Sequence, residues 1–341
     1  MRITKQSGVA ALIVLTAALT VMPGRGSNSE AAGHPTIRTF DSGGNFPEGI
    51  GIDASDNVWI ANGYTNNVVE LSPKGKILNT ITVGRRPHGL KIDRANTGDI
   101  WVMNTASDNV TALSPDGTVI SSFAVGSAPQ HAQFDATGNI WVTNQGDNNV
   151  AELVASGASI GEPVPGSPFN TGKAPHAIAR DQAGNFWIGN YYDGTVTVLS
   201  STGSLVFTIP KSEVGGEQPS GNDIDPLGNL WQSVQSIDGV AVLAAAPSFA
   251  NLNNFAVGVA PRGVTIDKAG NVFVANQQSN EVLMYNSTGK ETAHFKVGRC
   301  PENMAVDSKG DLWVTNACSS TVTEIKGVAV ADPNSDNDSN G

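Results

Sequence analysis

Residues 129–144 read PQHAQFDATGNIWVTN. One short run ends on Asp135, a Gly-Asn pair follows, and a second run carries Trp141 and ends on Asn144. Two short runs joined by a Gly-Asn turn predict an antiparallel hairpin. The same plan recurs along the chain, opening on Pro47, Pro87, Pro129, Pro175, Pro219, Pro261 and Pro301 at spacings of 40, 42, 46, 44, 42 and 40 residues. Six residues after each proline stands an acid: Asp53, Asp93, Asp135, Asp181, Asp225, Asp267 and Asp307. Six to eight residues further on stand Trp59, Trp101, Trp141, Trp187, Trp231, Phe273 and Trp313, so all six tryptophans occupy one position of the repeat.

Two more strands complete each unit. A third strand (NVVELS at 67–72, NVTALS at 109–114, EVLMYN at 281–286) leads through a Gly-bearing turn to a fourth (ILNTITVG at 77–84, VISSFAVG at 119–126). Four strands per ~42 residues is the period of a propeller blade. The sequence therefore predicts an all-β fold, a seven-bladed β-propeller of four-stranded blades. The seventh unit has no good fourth strand, whereas Thr36-Ile-Arg-Thr-Phe40 precedes the first unit at the matching offset. That N-terminal segment is expected to complete the last blade and close the ring. The tryptophans are expected to pack between blades.

The repeat accounts for the composition. Among 341 residues, 38 Gly and 18 Pro are turn chemistry, and only 15% are charged. A coiled coil is excluded, and no apolar run is long enough for a spanning helix. Arg2 and Lys5 precede an apolar run from Val9 to Met22, followed by Pro23, Gly24 and small polar residues to Ala31. This is the order of a secretory signal, with cleavage expected after Ala31 and an uncleaved anchor as the alternative. The expected divisions are signal peptide 1–31, propeller 35–327 and a disordered acidic tail 328–341, in a secreted or periplasmic monomer with no membrane insertion after cleavage. The net charge of −11 becomes −13 once Arg2, Lys5, Arg25 and Glu30 are removed. Such a surface opposes nucleic-acid binding. No phosphate-binding Gly loop and no Gly-x-Ser-x-Gly elbow is present.

WVTN at 141–144 and 313–316, with Val-Gly-x-x-Pro at 83–87, 125–129, 257–261 and 297–301, resembles the YVTN and NHL family of repeat propellers, over essentially the whole mature chain. Pro87-His88-Gly89-Leu90 and Pro175-His176-Ala177-Ile178 are also similar to the strand openings of the streptogramin B (virginiamycin B) lyases. That resemblance implies a seven-bladed enzyme that opens a lactone by Mg2+-assisted elimination, with His residues as acid and base. Here the two Pro-His pairs fall in blades two and four. Asn62, Asn104, Asn144, Asn190, Asn276 and Asn316 end the second strands where the lyase repeats carry Glu.

The loops before the first strand and after the second strand of each unit open on one face of the disc, which is the expected binding face. It carries Glu48, His88, His176, Asn222, Arg262 and Glu302 from the strand openings. From the loops it carries Tyr64, Asp108, Gln145, Asp147, Tyr191, Tyr192, Asp193 and Gln278. His88 and His176 are the acid–base candidates, and Asp147 and Asp193 the candidate ligands of a divalent metal such as Mg2+ or Ca2+. The bland reading makes these solvent-facing loop residues. His131 is one residue out of register with the other two, so strict alternation points it to the opposite side of its strand. The seven-fold Asp is read as a turn cap rather than a calcium array, and the Asn ladder likewise. Cys300 and Cys318, the only cysteines, fall opposite each other across the last hairpin, which predicts a disulfide; a two-Cys metal or redox site is the alternative. Two functions remain open at this stage. One is a binding module for a small molecule or protein partner at the loop face, and the other is a lyase of the streptogramin type.

Overall fold

A computed structural model describes residues 35–331; the expected signal sequence and Asp332–Gly341 lie outside the described residues. Seven four-stranded antiparallel sheets are arranged as the blades of a propeller, with almost no helix. The innermost strands are Pro47–Ile52, Pro87–Ile92, Pro129–Phe134, Pro175–Arg180, Pro219–Ile224, Pro261–Ile266 and Pro301–Val306. Ile37–Asp41 pairs with Thr321–Ile325 as the outer strand of blade seven, Ile37 opposite Ile325 and Asp41 opposite Thr321. The two ends of the propeller thus close it, as the missing fourth strand demanded.

The long spacing of blade three is absorbed at its outer edge, where a 3-10 turn at Gly157–Ser159 leaves an outer strand of only two residues, Phe169–Asn170. Residues 328–330, which the sequence reading placed in the tail, are tied down instead. Ala329 N–H donates to Gly310 O, Val330 N–H donates to Asp267 Oδ2, and Lys268 N–H donates to Val330 O. No helix among the described residues is long and apolar enough to cross a membrane.

Each sheet buries its faces against its neighbours. Ile50, Ile52, Ile60, Val69 and Leu71 of blade one pack with Ala305, Trp313 and Val322 of blade seven, so the closing contact is as apolar as any other. The repeated Asp does two jobs in every blade but the second and sixth. In blade four, Asp181 Oδ1 accepts Asn185 N–H across the turn, and Oδ2 accepts the Trp187 indole N–H at 3.0 Å. Trp59, Trp141, Trp231 and Trp313 donate to their own Asp in the same way.

The glycines of the Val/Thr-Gly-x-x-Pro segments have a packing reason. A Cβ on Gly84, Gly126, Gly172, Gly258 or Gly298 would lie 2.6 to 2.7 Å from the amide of the Asn ending a second strand. The Asn side chains are fully buried, so only Gly permits the approach. Cys300 and Cys318 are joined in a disulfide at the mouth of blade seven, as their opposition predicted.

Candidate functional site

The site is built from one irregularity repeated seven times. Pro129 pairs with Asn144, yet Ala132 pairs with Val142, so the innermost strand holds one residue more than its partner over this stretch. The same shift separates Pro47 from Ile50, Pro87 from Leu90, Pro175 from Ile178 and the equivalent residues of the other blades. A β-bulge breaks side-chain alternation and re-aims the residues within it. That is why His131 does not turn away as alternation required. Its ring centroid lies 4.9 Å from both His88 and His176, and the latter two are 5.5 Å apart.

The first bulge residue of six of the seven strands lines an axial pocket of about 350 Å3, where Glu48, His88, Gln130, His176, Arg262 and Glu302 converge. Loop residues complete the wall: Phe46, Arg86, Thr105, Gln145, Tyr191, Tyr192 and Gln277. The second bulge residue is Gly in blades one, two, five and six, where a Cβ would come within 2.2 to 2.5 Å of a carbonyl oxygen on the next inner strand. His131 occupies that tight position in blade three. Hydroxyls on alternate second strands fix the geometry. Thr143, Ser233 and Thr315 donate across to His176 O, Arg262 O and Glu48 O at 2.8, 2.6 and 2.8 Å.

Within the pocket His88 Nε2 stands 3.5 Å from Glu48 Oε1, and Arg262 Nε stands 3.5 Å from Glu302 Oε2. Gln277 donates to the other Glu302 oxygen. Gln235, with its amide oxygen turned to Arg262, accepts from the guanidinium at 3.0 and 3.1 Å and donates to the Tyr191 hydroxyl at 3.2 Å. Arg86 lies over the Tyr64 ring, 5.8 Å from its centroid, and Tyr64 stacks on Phe46 at 4.3 Å.

Burial sets the charge states. It pushes Glu48 up to about 8, with the nearby Glu302 adding to the effect against Arg86 and Arg262. Burial, reinforced by Arg262 and Arg86, holds His88 down at about 3. His131 and His176 are also held well below the usual imidazole range, chiefly by burial and then by the His88 ring. Burial raises Glu302 as well, against the pull of Arg262. The imidazoles are therefore uncharged at neutral pH, and the glutamates resist ionising.

Glu48, His88, Gln145, His176, Tyr191, Tyr192, Arg262 and Glu302 line the pocket, while Tyr64 sits on its rim behind Phe46. Asn222 does not line it. Its place in the ring belongs to Ser220, one residue after Pro219, and Asn222 is buried between blades, donating to Trp187 O and Gln232. Gln278 gives way to Gln277. Asp108, Asp147 and Asp193 do not line the pocket and are spent on backbone. Asp147 Oδ2 accepts Ser127 N–H at 2.7 Å, Asp193 Oδ2 accepts Lys173 N–H at 2.8 Å, and Asp108 Oδ1 accepts Ala128 N–H at 2.9 Å.

Thr65, Ser107, Ser236, Ser279 and Ser319 make the bond of Asp147 and Asp193 in the other blades, so the carboxylates are two variants of a loop stitch. Each of these carboxylates thus commits at least one oxygen to its own loops, and both stand outside the axial pocket. His131 was read as turned away and Gln130 was not read as a site residue, because the bulge leaves no mark in the spacing of apolar residues; Arg86, in the loop before Pro87, was not read either.

No protein-family model matches the chain, and no curated protein sequence matches it. Solved structures do. Virginiamycin B lyase from Staphylococcus aureus is similar with a TM-score of 0.74 at 15% identity, over 86% of this chain and 99% of that one. A streptogramin B lyase gives 0.72 at 17% identity, over 85% and 97%. Hydrazine synthase of Kuenenia stuttgartiensis gives 0.72 at 14% identity, over 90% and 100%. At these identities the likeness is one of fold.

Proposed function

We propose that this is an exported binding propeller that takes a small polar molecule into the axial pocket, with an anionic group of that molecule facing Arg86 and Arg262. The observation that carries the reading is the pocket itself. Its volume of about 350 Å3 suits a small ligand, and two guanidinium groups converge there with uncharged imidazoles and buried carboxyls. Guanidinium forks match carboxylate and phosphate geometry. The disulfide and the signal-like N-terminus support export to an oxidising compartment.

The test is a thermal-shift and calorimetric screen of small carboxylates and phosphates against the mature protein and its Arg262→Ala variant. At least one class is expected to raise the melting temperature of the parent and to bind tenfold or more weaker to the variant. No response to any member, or binding unaffected by Arg262→Ala, would sink the proposal.

A second reading is favoured by one contact. Glu48 and His88 set a carboxyl against an imidazole on the wall of a pocket that also holds Glu302 and His176. Elimination across a C–O bond needs a base at carbon and an acid at the leaving oxygen, and such a pair can supply both. The lyases of similar fold support this assignment to a carbon–oxygen lyase. Ring opening by elimination leaves the mass of a streptogramin B lactone unchanged, whereas hydrolysis adds water. Conversion of the lactone to an isobaric linear product, lost in His88→Asn, is the expected result, and an untouched lactone counts against the reading.

A further inference from the structure

We infer that His88, His131 and His176 form a three-histidine site for a borderline divalent metal ion of the zinc class. One ring nitrogen from each lies within 4.8 Å of the others, on the inner strands of three consecutive blades. His88 Nδ1, His131 Nε2 and His176 Nδ1 are buried and accept or donate nothing. His131 and His176 are 3% and 5% exposed, so water does not readily satisfy them. Buried polar atoms are nearly always paired, and three unpaired nitrogens in one cluster point to a missing partner common to all.

One ring has a carboxyl beside its other nitrogen. His88 Nε2 stands 3.5 Å from Glu48 Oε1. Metal-ligating histidines are oriented in this way through their second nitrogen. Donor chemistry selects the ion. Imidazole suits Zn2+, Cu2+, Ni2+ or Co2+, whereas Mg2+ and Ca2+ prefer oxygen. Zn–N bonds of about 2.0–2.1 Å set the ligand nitrogens roughly 3.3 Å apart, so metal binding draws the three rings together. Three protein ligands leave a coordination position for water or for a bound anion. Glu48 and Glu302 line the same pocket, Glu302 within 3.5 Å of Arg262. The inference stands independently of any organic ligand, since it concerns the metal alone.

The experiment uses the chelator-treated mature protein without a histidine tag. Titration with Zn2+ is expected to show one equivalent bound and a raised melting temperature, with no response to Mg2+ at the same concentrations. Co2+ is expected to give the intense visible bands of a four- or five-coordinate nitrogen site. His131→Asn should weaken Zn2+ binding at least tenfold, and the exposed His294→Asn should leave it unchanged. Should His131→Asn fail to fold, His88→Asn on the pocket wall serves, and the Co2+ spectrum of the parent stands on its own. Absence of zinc binding, a six-coordinate Co2+ spectrum, or a zinc site that survives His88→Asn overturns the inference.

Discussion

At the scale of single residues, the tryptophans offer an internal comparison. Trp187 is fully buried and its indole N–H reaches Asp181 at 3.0 Å. Trp101 is as buried but unpartnered, because the longer loop of blade two turns both oxygens of Asp93 to Asn96 and Thr97. Losing a buried hydrogen bond costs about 1–2 kcal/mol more than losing an unsatisfied donor. Trp187→Phe is therefore expected to destabilise the protein by that much more than Trp101→Phe, in urea denaturation of both. The position of every tryptophan was legible in the repeat. The failure of one of them to find its Asp was not, since it depends on where a longer turn sends two carboxylate oxygens.

Asp223 gives a pH signature. Burial pushes it up to about 6, against hydrogen bonds from Ile266 and Ile224 N–H and the pull of Lys91. Its folded value exceeds the ordinary 3.8. Below both values it contributes nothing, and between them the unfolded chain ionises first, so stability falls as pH rises to about 6. The loss is on the order of 3 kcal/mol. Asp223→Asn should remove this slope, and a difference between parent and variant that is flat from pH 4 to 6 would refute the assignment.

At the scale of elements, the hairpins, the blade count and the closing strand were all legible, because strand period and turn residues repeat seven times. The bulge at the start of each inner strand was not. It adds one residue without changing the apolar spacing, and it decides that His131 joins His88 and His176. The loop bonds of Asp147 and Asp193 were hidden for a related reason: the backbone N–H that each accepts lies 20 residues away along the chain.

Two element-level expectations follow from close contacts. Gly298→Ala would place a Cβ 2.6 Å from the buried Asn316 amide, and overpacking of this kind should cost about 1–3 kcal/mol in chemical denaturation. Phe40 stacks on Trp313 with ring centroids 5.6 Å apart, and Phe40→Ala should cost roughly 2–3 kcal/mol by loosening the borrowed strand from blade seven.

At the scale of the whole molecule, stability turns on the seam between the first and last blades. Asp56 of blade one accepts from Ser308 N–H, the Ser308 hydroxyl and Lys309 Nζ of blade seven. Burial alone would raise Asp56, but the bonds from Lys309 and Ser308 outweigh it and hold the carboxyl below its ordinary value of 3.8. Its contribution is present above that value and fades as pH falls through the lower folded one. Because Lys309 is exposed, Lys309→Ala should cost under about 1 kcal/mol at pH 7 and less still in acid. The disulfide weighs more. Replacing Cys300 and Cys318 by Ser removes a link across 18 residues and should cost about 3 kcal/mol by denaturant unfolding.

The closing strand also fixes an order of events. Ile37 is among the first residues of the propeller to be synthesised, and its partner Ile325 among the last. Until the final hairpin is available, blade seven lacks its edge and blade one its neighbour. Contacts so distant along the chain form late and slowly. The ring is thus finished only when the two ends of the propeller meet, so closure is expected to be the last step of folding.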